Sequence, residues 1–313
     1  MARNWLADFK YEDGAWLVKK TGHRVPANPG LINDIFTWLT FYTMAQSWRT
    51  WRRVTGHKRP TIAFYPDKPR PWYFIWPVMH ASGAKLISDT SVADIVFQFD
   101  DSTHTNHAPP RTKDGAKLVN FDCRDISKTA VAEAFQRAAG YSLAVNPEVY
   151  AGPMVEKSEK NACHDGRVIE GPMQPLPDKT YQLLIDNEIP GGMIEDLRCC
   201  IVGGEPALVF RKRRKLGRRF LNENDEVLLD TPQNAYSADE IAVIARFAEE
   251  IGLQWGGVDV LRDNASGKIY IVDANKTDMG PPIALNLGDK LKSTRRMAKA
   301  FIHAFAPKKK NRT

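Results

Sequence analysis

Three oxygen-bearing side chains interrupt two apolar runs near the C-terminus. Residues 255–282 read WGGVDVLRDNASGKIYIVDANKTDMGPP, and the three side chains are Asp259, Asp273 and Asn275. The runs GGVDVL and KIYIVDAN predict two strands, and RDNASG predicts the turn that joins them as a hairpin. Asp and Asn are disfavoured in strands, and a buried carboxylate is costly unless it is paired or bound to a cation. The presence of three such polar side chains in two predicted strands therefore requires an explanation.

The register of the hairpin would bring carboxylates together. If the chain turns about Ala265 or Ser266, Asp259 lies opposite Val272 or Asp273. The polar side chains then converge at one end of the ladder.

The alternation of side chains in the second strand and the chemistry of the oxygen donors point to a metal ion at this end of the hairpin. Because side chains alternate along a strand, Asp273 and Asn275 are expected on the same face as Ile269 and Ile271. Oxygen ligands with no His or Cys nearby are typical of Mg²⁺ that is shared with substrate phosphates. The alternative is a polar strand end whose carboxylates are solvated.

The composition is that of an ordinary globular protein. The chain has 313 residues, of which 43% are hydrophobic and 26% charged, enough for one large domain or two to three smaller ones. No apolar run reaches the length of a membrane span and the N-terminus does not resemble a signal peptide, so we expect a cytoplasmic protein. Cys123, Cys163, Cys199 and Cys200 lack metal-ligand spacing, which predicts free thiols, with the adjacent pair on opposite faces of a strand.

The excess of positive charge is local. The formal net charge is +7, and the basic clusters are SWRTWRRVTGHKR, RKRRKLGRR and the tail PKKKNRT. Such clusters can bind nucleic acid, anionic lipid or phosphorylated ligands. Since no nucleic-acid-binding motif is present, a phosphorylated ligand is favoured and no nucleic-acid partner is expected.

Residues 31–54 predict a helix with a basic end. The apolar positions recur at helical spacing, at Leu31, Ile35, Trp38, Leu39 and Tyr42, and Trp48 and Trp51 continue the stripe. One interpretation is an amphipathic helix packed on the domain. The other is an interfacial helix in peripheral contact with a membrane, because Trp and Arg favour that zone.

Short strands and helices alternate in the rest of the N-terminal part, in PTIAFYP, AKLIS, DIVFQFD and KLVNFD. This pattern predicts a small α/β domain. The segment DISKTAVAEAFQRAAG predicts a helix that exposes Lys128 and Arg137 and ends at Gly140. Further on, Ser237 and Glu240 form a capping box that begins another helix.

The order of elements after residue 125 resembles the ATP-grasp superfamily, most closely its glutamate-adding and other amino-acid-adding ligases. The specific pieces are DLR…VGG…RKRR and GVD…IVDAN, and the resemblance covers roughly residues 125–303. It implies an α/β (α+β) ATP-grasp fold, with two α+β lobes that sandwich ATP behind a small N-terminal α/β domain. The implied domains are 1–125 as the N-terminal domain, 126–190 as the central lobe and 191–313 as the C-terminal lobe with the basic tail.

The resemblance implies an ATP site with a set of named residues. Lys157 would reach the α- and β-phosphates, and Asp186 or Glu188 would hold the ribose hydroxyls. Arg198 and Arg211 match strand arginines near the transferred phosphate, where guanidinium groups suit phosphate oxygens. The adenine-binding hinge would be Gln182, Leu183, Leu184 and Ile185, and two arginines of the following loop are further candidates, Arg218 and Arg219.

The resemblance also assigns the hairpin of the opening observation. Asp259, Asp273 and Asn275 would hold one or two Mg²⁺ (or Mn²⁺) ions that bridge the phosphates of ATP; Asp273 stands where the family more often has Glu. The loop SEKNACHDGR would cover the phosphates, but its only glycine is Gly166 where the family has a Gly-rich flap. His164 and Asp165 could contact phosphate there or form a simple turn.

These features predict a carboxylate–amine ligase that forms an amide or peptide bond through an acyl phosphate. Its partners would be a small-molecule carboxylate and an amine, and related ligases are often homo-oligomers. One alternative is a kinase of the same fold that phosphorylates a hydroxyl. Another is a non-catalytic protein that binds a membrane or polyanion through its basic, Trp-rich helix.

Overall fold

A computed structural model of the protein describes residues 9–19, 23–27, 29–55, 59–161, 163, 165–221 and 223–307. The chain begins with a small antiparallel sheet, followed by a long helix. The elements are β1 (Phe9–Glu12), β2 (Ala15–Val18), β3 (His23–Pro26) and α1 (Pro29–Val54). The helix predicted over residues 31–54 is confirmed and begins two residues earlier.

A four-stranded parallel sheet follows, with the strand order β5-β4-β6-β7. Its elements are β4 (Thr61–Pro66), α2 (Ile75–Ser82), β5 (Lys85–Leu86), β6 (Ile95–Phe99) and β7 (Lys117–Val119). The four strands are those that the sequence predicts for the small α/β unit. The helix α2 ends at Gly83, whose left-handed backbone suits glycine.

A helix and a three-stranded antiparallel sheet come next. The helix α3 (Lys128–Ala139) begins at the N-cap Ser127 and ends at Gly140, as predicted. The prediction that α3 exposes Lys128 is wrong, because this side chain lies under Asp273 and is buried. The sheet has the order β10-β8-β9, with β8 (Gly152–Ser158), β9 (Arg167–Gly171) and β10 (Lys179–Leu183).

The last part of the chain forms a six-stranded antiparallel sheet with the order β14-β13-β12-β15-β16, and β11 also pairs with β12. The strands are β11 (Glu188–Ile189), β12 (Met193–Val202), β13 (Glu205–Lys215), β14 (Glu226–Asp230), β15 (Trp255–Arg262) and β16 (Ile269–Asn275). The helices are α4 (Pro232–Ala235), α5 (Ala238–Glu250) and α6 (Leu287–Phe305). The predicted capping box at Ser237 is present at the start of α5.

Alternation along β12 divides the chemistry of this sheet between its two faces. Leu197, Cys199 and Ile201 belong to a core that includes α3 and α5. Cys200 lies in a second core with Phe74 of the N-terminal unit and Phe301 of α6. The two adjacent cysteines therefore point to opposite faces, as predicted, and each of the four cysteines is a free thiol.

The structure is a mixed α/β fold, as predicted. None of the helices in the described ranges is long and apolar enough to cross a membrane. The basic tail after Pro307 lies outside the described residues.

Candidate nucleotide and metal site

The hairpin formed by β15 and β16 places its two aspartates directly opposite each other. Asp259 pairs with Asp273, which is one of the two registers that the sequence allowed. The next pair is Val260 with Ile271, so Val272 is an extra residue that forms a β-bulge.

The bulge corrects the prediction about the faces of β16. Ile269, Ile271 and Ala274 all lie in the core beside α3 and α5. Since Ala274 shares that core, Asp273 and Asn275 point away from it and not along the face of Ile269 and Ile271. The inserted residue breaks the alternation, and it turns both polar side chains toward the second face of the sheet.

Asp259 is the most strongly paired carboxylate of the site. It accepts a hydrogen bond of 2.9 Å from Arg198 Nη1, and Lys212 Nζ lies 3.5 Å from its Oδ1. Burial opposes ionisation of Asp259, but the charges of Arg198 and Lys212 outweigh it and hold its pKa below the usual range. The buried Oδ1 atom accepts no hydrogen bond from the described residues, so it keeps lone pairs for a further cation.

Arg198 bridges two carboxylates. Besides Asp259, it donates a 2.7 Å hydrogen bond to Asp278 Oδ1, and its side chain is buried. The guanidinium of Arg198 and the carboxylate of Asp278 lie over Gly257, where an added Cβ atom would be 2.5 Å from Arg198 Nε and 2.6 Å from Asp278 Oδ2. Arg198 therefore sits behind the carboxylate of Asp259 and does not line the cleft described below.

Two lysines reach the hairpin from other elements. Lys128 of α3 donates to Asp273 Oδ1 at 2.5 Å and to Asn161 Oδ1 at 2.9 Å. Lys157 of β8 is half-buried and its Nζ lies 3.2 Å from the carbonyl oxygen of Val272. Desolvation and the neighbouring Lys128 lower the pKa of Lys157 to about 8. Among the described residues no carboxylate forms an ion pair with Lys157.

The predicted hinge runs along the edge of the same cleft. Gln182 and Leu183 belong to β10 and pair with β8, and the chain then crosses to β11. Asp186 Oδ1 accepts hydrogen bonds from the backbone N–H of Glu188 and from Asn264 Nδ2, at 3.1 and 3.2 Å.

A buried chain of hydrogen bonds orients two arginines beside this hinge. Arg219 Nη1 donates to the carbonyl of Ile185 at 2.8 Å and to Asn187 Oδ1 at 2.9 Å. Asn187 Nδ2 in turn donates to Asp196 Oδ1 at 2.9 Å, and Asp196 also accepts from Arg214 Nη2. Arg219 is therefore held by neutral oxygens, and its burial lowers its pKa.

The prediction that Arg211 lies near the phosphates is wrong, because strand alternation directs its side chain to the other face of the sheet. It pairs with Leu197, and its guanidinium donates to Glu195 and Asp230, at 2.7 Å each. Lys212 and Arg214, one and three positions further along β13, face the cleft side. Arg218 likewise contacts Glu223 and Asp225.

Two adjoining cavities lie between the β10-β8-β9 sheet and the six-stranded sheet. The inner cavity has a volume of about 180 Å³ and the outer one about 690 Å³, and they share Gly166, Ile185, Arg219 and Phe220. The charged and polar groups of the inner cavity are Lys128, Lys157, Ser158, Lys160, Asp165, Gln182, Asp196, Arg214, Arg219, Asp259 and Asp273. The outer cavity includes Leu184, Asp186 and Glu188.

The loop between β8 and β9 closes one side of the cleft without a glycine-rich flap. Asp165 accepts from the backbone N–H of Ser158 at 3.1 Å and from Lys179 Nζ at 2.6 Å, so its carboxylate fixes the loop. A Cβ atom on Gly166 would lie 2.6 Å from the ring of Phe220, so this glycine lets the ring pack closely. His164 lies outside the described residues.

The chain was compared with known proteins at three levels. No family model and no curated protein matches it. The similar solved structures include the ATP-grasp ligase PsnB complexed with minimal precursor, at 12% identity and a TM-score of 0.48, covering 79% of this chain and 99% of that one.

Two further solved structures are similar at the same level. A RimK domain ATP-grasp protein from Sphaerobacter thermophilus has 13% identity and a TM-score of 0.45, covering 79% of this chain and 100% of that one. D-alanine–D-alanine ligase from Bacillus anthracis, complexed with ATP, has 10% identity and a TM-score of 0.44, covering 78% and 95%. All three are named as ATP-grasp proteins or as a ligase.

The donor set fits a metal ion that is shared with a ligand. Asp259 and Asp273 face each other, and Asp259 Oδ1 is buried without a hydrogen bond. Asn275 is not among the residues that line the inner cavity, because its Oδ1 accepts from the backbone N–H of Thr277 at 2.9 Å. Within the described part of the chain no three His, Cys, Asp or Glu side chains form a metal cluster by themselves. Mg²⁺ is commonly held by one or two carboxylates together with substrate phosphates, which is what this pair offers.

Several functional candidates were missed from the sequence. Lys128 and Asn187 carry no motif that separates them from ordinary polar residues. Asp196 and Arg214 belong to the pieces DLR and RKRR, but the resemblance assigns no role to either. For Arg214 a signal was available, since β13 alternates and a paired strand can present only every second residue of RKRR to one face.

Proposed function

We propose that the protein is an ATP- and Mg²⁺-dependent (or Mn²⁺-dependent) carboxylate–amine ligase. The observation that carries this proposal is the inner cavity, in which Lys157, Arg214 and Arg219 face the paired carboxylates Asp259 and Asp273. Cations on one side and metal-binding carboxylates on the other are what a polyphosphate with a divalent ion requires.

The two cavities suggest how ATP would lie. The outer cavity, beside Leu184, Asp186 and Glu188, would take the adenine and the ribose. The inner cavity would take the phosphates. The carbonyl of Ile185 already accepts from Arg219, so this arginine would link the hinge to the phosphate-binding part of the cleft.

The reaction follows from this placement. A substrate carboxylate attacks the γ-phosphorus, the bond to the β–γ bridging oxygen breaks, and an acyl phosphate and ADP result. An amine then attacks the acyl carbon, the carbon–oxygen bond to phosphate breaks, and the amine gives up a proton as the amide forms. Lys157, Arg214 and Arg219 would orient the phosphate oxygens, and the two sheets would exclude water. A metal ion held by Asp259 and Asp273 would supply charge neutralisation.

The substrates would enter from the side of the N-terminal unit. The loop after β16 connects the hairpin to that unit, because Phe74 N–H donates to the carbonyl of Asp278 at 2.8 Å and Tyr73 forms a bridge with Met279. We infer that small-molecule carboxylates and amines bind here, where residues 1–125 would meet the lobes 126–190 and 191–313. The free thiols support a reducing, cytoplasmic location. Homo-oligomer formation stays a prediction.

The test is ADP and phosphate release from Mg²⁺-ATP across pools of carboxylates and amines, with hydroxylamine added separately to trap an acyl phosphate as a hydroxamate. Release should need both substrates and should be lost in Asp273→Ala. Arg211→Ala is the matched control and should retain activity, because its guanidinium lies on the other face.

Two outcomes would contradict the ligase. Transfer of the phosphoryl group to a hydroxyl compound, without release of free phosphate, would identify a kinase. Failure of calorimetry to detect any binding of Mg²⁺ with a non-hydrolysable ATP analogue would leave a non-catalytic binding protein.

A further inference from the structure

The long helix α1 packs against the described part of the protein through one of its faces. Phe41 and Ala45 are buried, and Tyr42 stacks on Trp76 of α2 with ring centroids 5.0 Å apart and planes 14° apart. α1 also contacts α6. This packed face is the apolar stripe that an amphipathic helix is expected to bury against its domain.

The opposite face of the same helix is also apolar in its first three turns. Ile32, Ile35, Phe36 and Leu39 follow one another at helical spacing, and Ile32 and Phe36 are 70% and 71% exposed. A helix that is apolar on two sides is expected to have a partner on both. Within the described part of the chain nothing covers this second face.

A cationic, aromatic cavity lies at the other end of α1. Its volume is about 640 Å³, and it is bounded by α1, the end of α2 and α6. The guanidinium of Arg295 lies over the indole ring of Trp48, 4.6 Å from the ring centre. Lys299 and Trp51, which lies about one turn after Trp48, also line the cavity, and none of its described lining residues is acidic.

The charges of Arg295 and Lys299 are available to a ligand. Arg295 and Lys299 form no ion pair with any described residue, in contrast to most arginines of the nucleotide cleft. The cavity shares no lining residue with that cleft. In the sequence, α1 ends in a run of basic residues and α6 is followed by the basic tail PKKKNRT. An anionic ligand is therefore favoured by charge complementarity.

We propose that α1 and this cavity bind the surface of an anionic phospholipid bilayer. The cavity receives the phosphate of a headgroup between Arg295 and Lys299, with Trp48 and Trp51 at the level of the headgroups. The exposed apolar side chains of α1 enter the interfacial zone. Trp and basic residues are typical of that zone, and basic side chains near an anionic bilayer add to the affinity. The contact is peripheral, since no described helix is able to span a bilayer.

A second copy of the chain fits these observations less well than a membrane. Apolar residues on α1 could pair with their equivalents in a dimer. Such a dimer would leave the cationic cavity without an anionic partner, whereas an anionic bilayer offers phosphate groups to the cavity and an apolar zone to the exposed side chains of α1.

The test is co-sedimentation of the full chain with vesicles of phosphatidylcholine alone and of phosphatidylcholine with phosphatidylglycerol. We expect binding to the anionic vesicles only, weakened by salt. Arg295→Gln with Lys299→Gln should lower the affinity on the order of thirtyfold, since each basic group near the surface is worth roughly a factor of five. Phe36→Ser should lower it about tenfold through lost apolar burial.

Matched controls separate these effects from general changes in charge or polarity. The pair Arg111→Gln with Lys117→Gln removes the same charges from exposed positions elsewhere, and Val149→Ser removes an apolar side chain that is 75% exposed. Both should bind vesicles like the unaltered chain. ADP release in solution should be unchanged in the cavity variant, so loss of vesicle binding does not depend on the proposed reaction.

Three results would overturn the proposal. The first is equal binding to neutral and anionic vesicles, or none to either. The second is a dimer in sedimentation analysis that Phe36→Ser converts to a monomer while vesicles do not bind, which would assign the apolar face to a second copy. The third is calorimetric binding of inorganic phosphate that depends on Arg295 and Lys299 without vesicle binding, which would assign the cavity to a soluble anion.

Discussion

Substitution of Gly257 by Ala tests the buried charge cluster behind Asp259, the carboxylate proposed to bind the metal ion. The added Cβ atom would lie 2.5 Å from Arg198 Nε and 2.6 Å from Asp278 Oδ2, closer than any real Cβ contact. At least one of these groups must move, and both are buried. Movement would lengthen the 2.7 Å hydrogen bond between Arg198 and Asp278 and disturb the 2.9 Å bond to Asp259.

The size of the effect follows from these contacts. Overpacking a core costs about 1–3 kcal/mol, and breaking a buried ion pair costs about 3–5 kcal/mol. Because Arg198 would keep one of its two carboxylates, we expect Gly257→Ala to lower the free energy of unfolding by about 3 kcal/mol. We also expect weaker Mg²⁺-dependent binding of a non-hydrolysable ATP analogue, since Asp259 would lose its fixed position.

Urea unfolding and calorimetry measure the two effects. Gly217→Ala is the control, because a Cβ atom there has no neighbour within 4 Å, and it should be close to neutral in stability. The reasoning would be refuted if Gly257→Ala unfolded at the same urea concentration as Gly217→Ala, or if it bound the analogue and Mg²⁺ like the unaltered chain.

Three further predictions concern the cleft proposed to bind the nucleotide. The pKa of Lys157 is lowered to about 8, so the lysine loses its proton as the pH rises through this value, and the affinity for nucleotide should fall. Lys157→Met should remove this pH dependence. A calorimetric pH series on both chains checks this. Asn187→Ala should weaken nucleotide binding about tenfold by releasing Arg219, and unchanged affinity in an equilibrium titration would disprove the role of the hydrogen-bond chain. Arg214→Ala should weaken nucleotide binding more than Arg211→Ala, because only Arg214 lines the cleft, and equal losses in parallel titrations would contradict the assignment of faces.

The sequence predicted the hairpin and its facing aspartates because these depend on local features. The turn residues of RDNASG fix the centre of the hairpin, and strand periodicity then fixes the pairing of the two strands to within one residue. The bulge at Val272 could not be predicted, since an extra residue in one strand leaves no mark on composition. The wrong prediction that Asp273 and Asn275 share a face with Ile269 and Ile271 is due to this one extra residue.

The arginines were harder to assign because every position of RKRR is basic. Strand pairing decides which of them reach the cleft, and that pairing is a tertiary property. The burial of Lys128 is also tertiary, because it depends on the contact between the start of α3 and β16, which are 145 positions apart. Sequence spacing within one helix contains no information about that contact.

The pairing of charges in the inner cavity suggests which groups meet an incoming polyphosphate first. Lys128 and Arg214 already pair with Asp273 and Asp196. Of the described cations that line this cavity, Lys157, Lys160 and Arg219 form no ion pair with another described residue. Because phosphates compete best for cations that are not neutralised, these three should contribute most to affinity.

A carboxylate facing a phosphate repels it unless a cation lies between them. Asp259 and Asp273 are both directed to the cleft. Arg198 and Lys212 compensate Asp259, and Lys128 compensates Asp273. ATP binding should therefore depend on a divalent ion more strongly than on any single lysine. If the metal dependence persisted when both aspartates were replaced by Asn, the facing pair of β15 and β16 could not be the metal site.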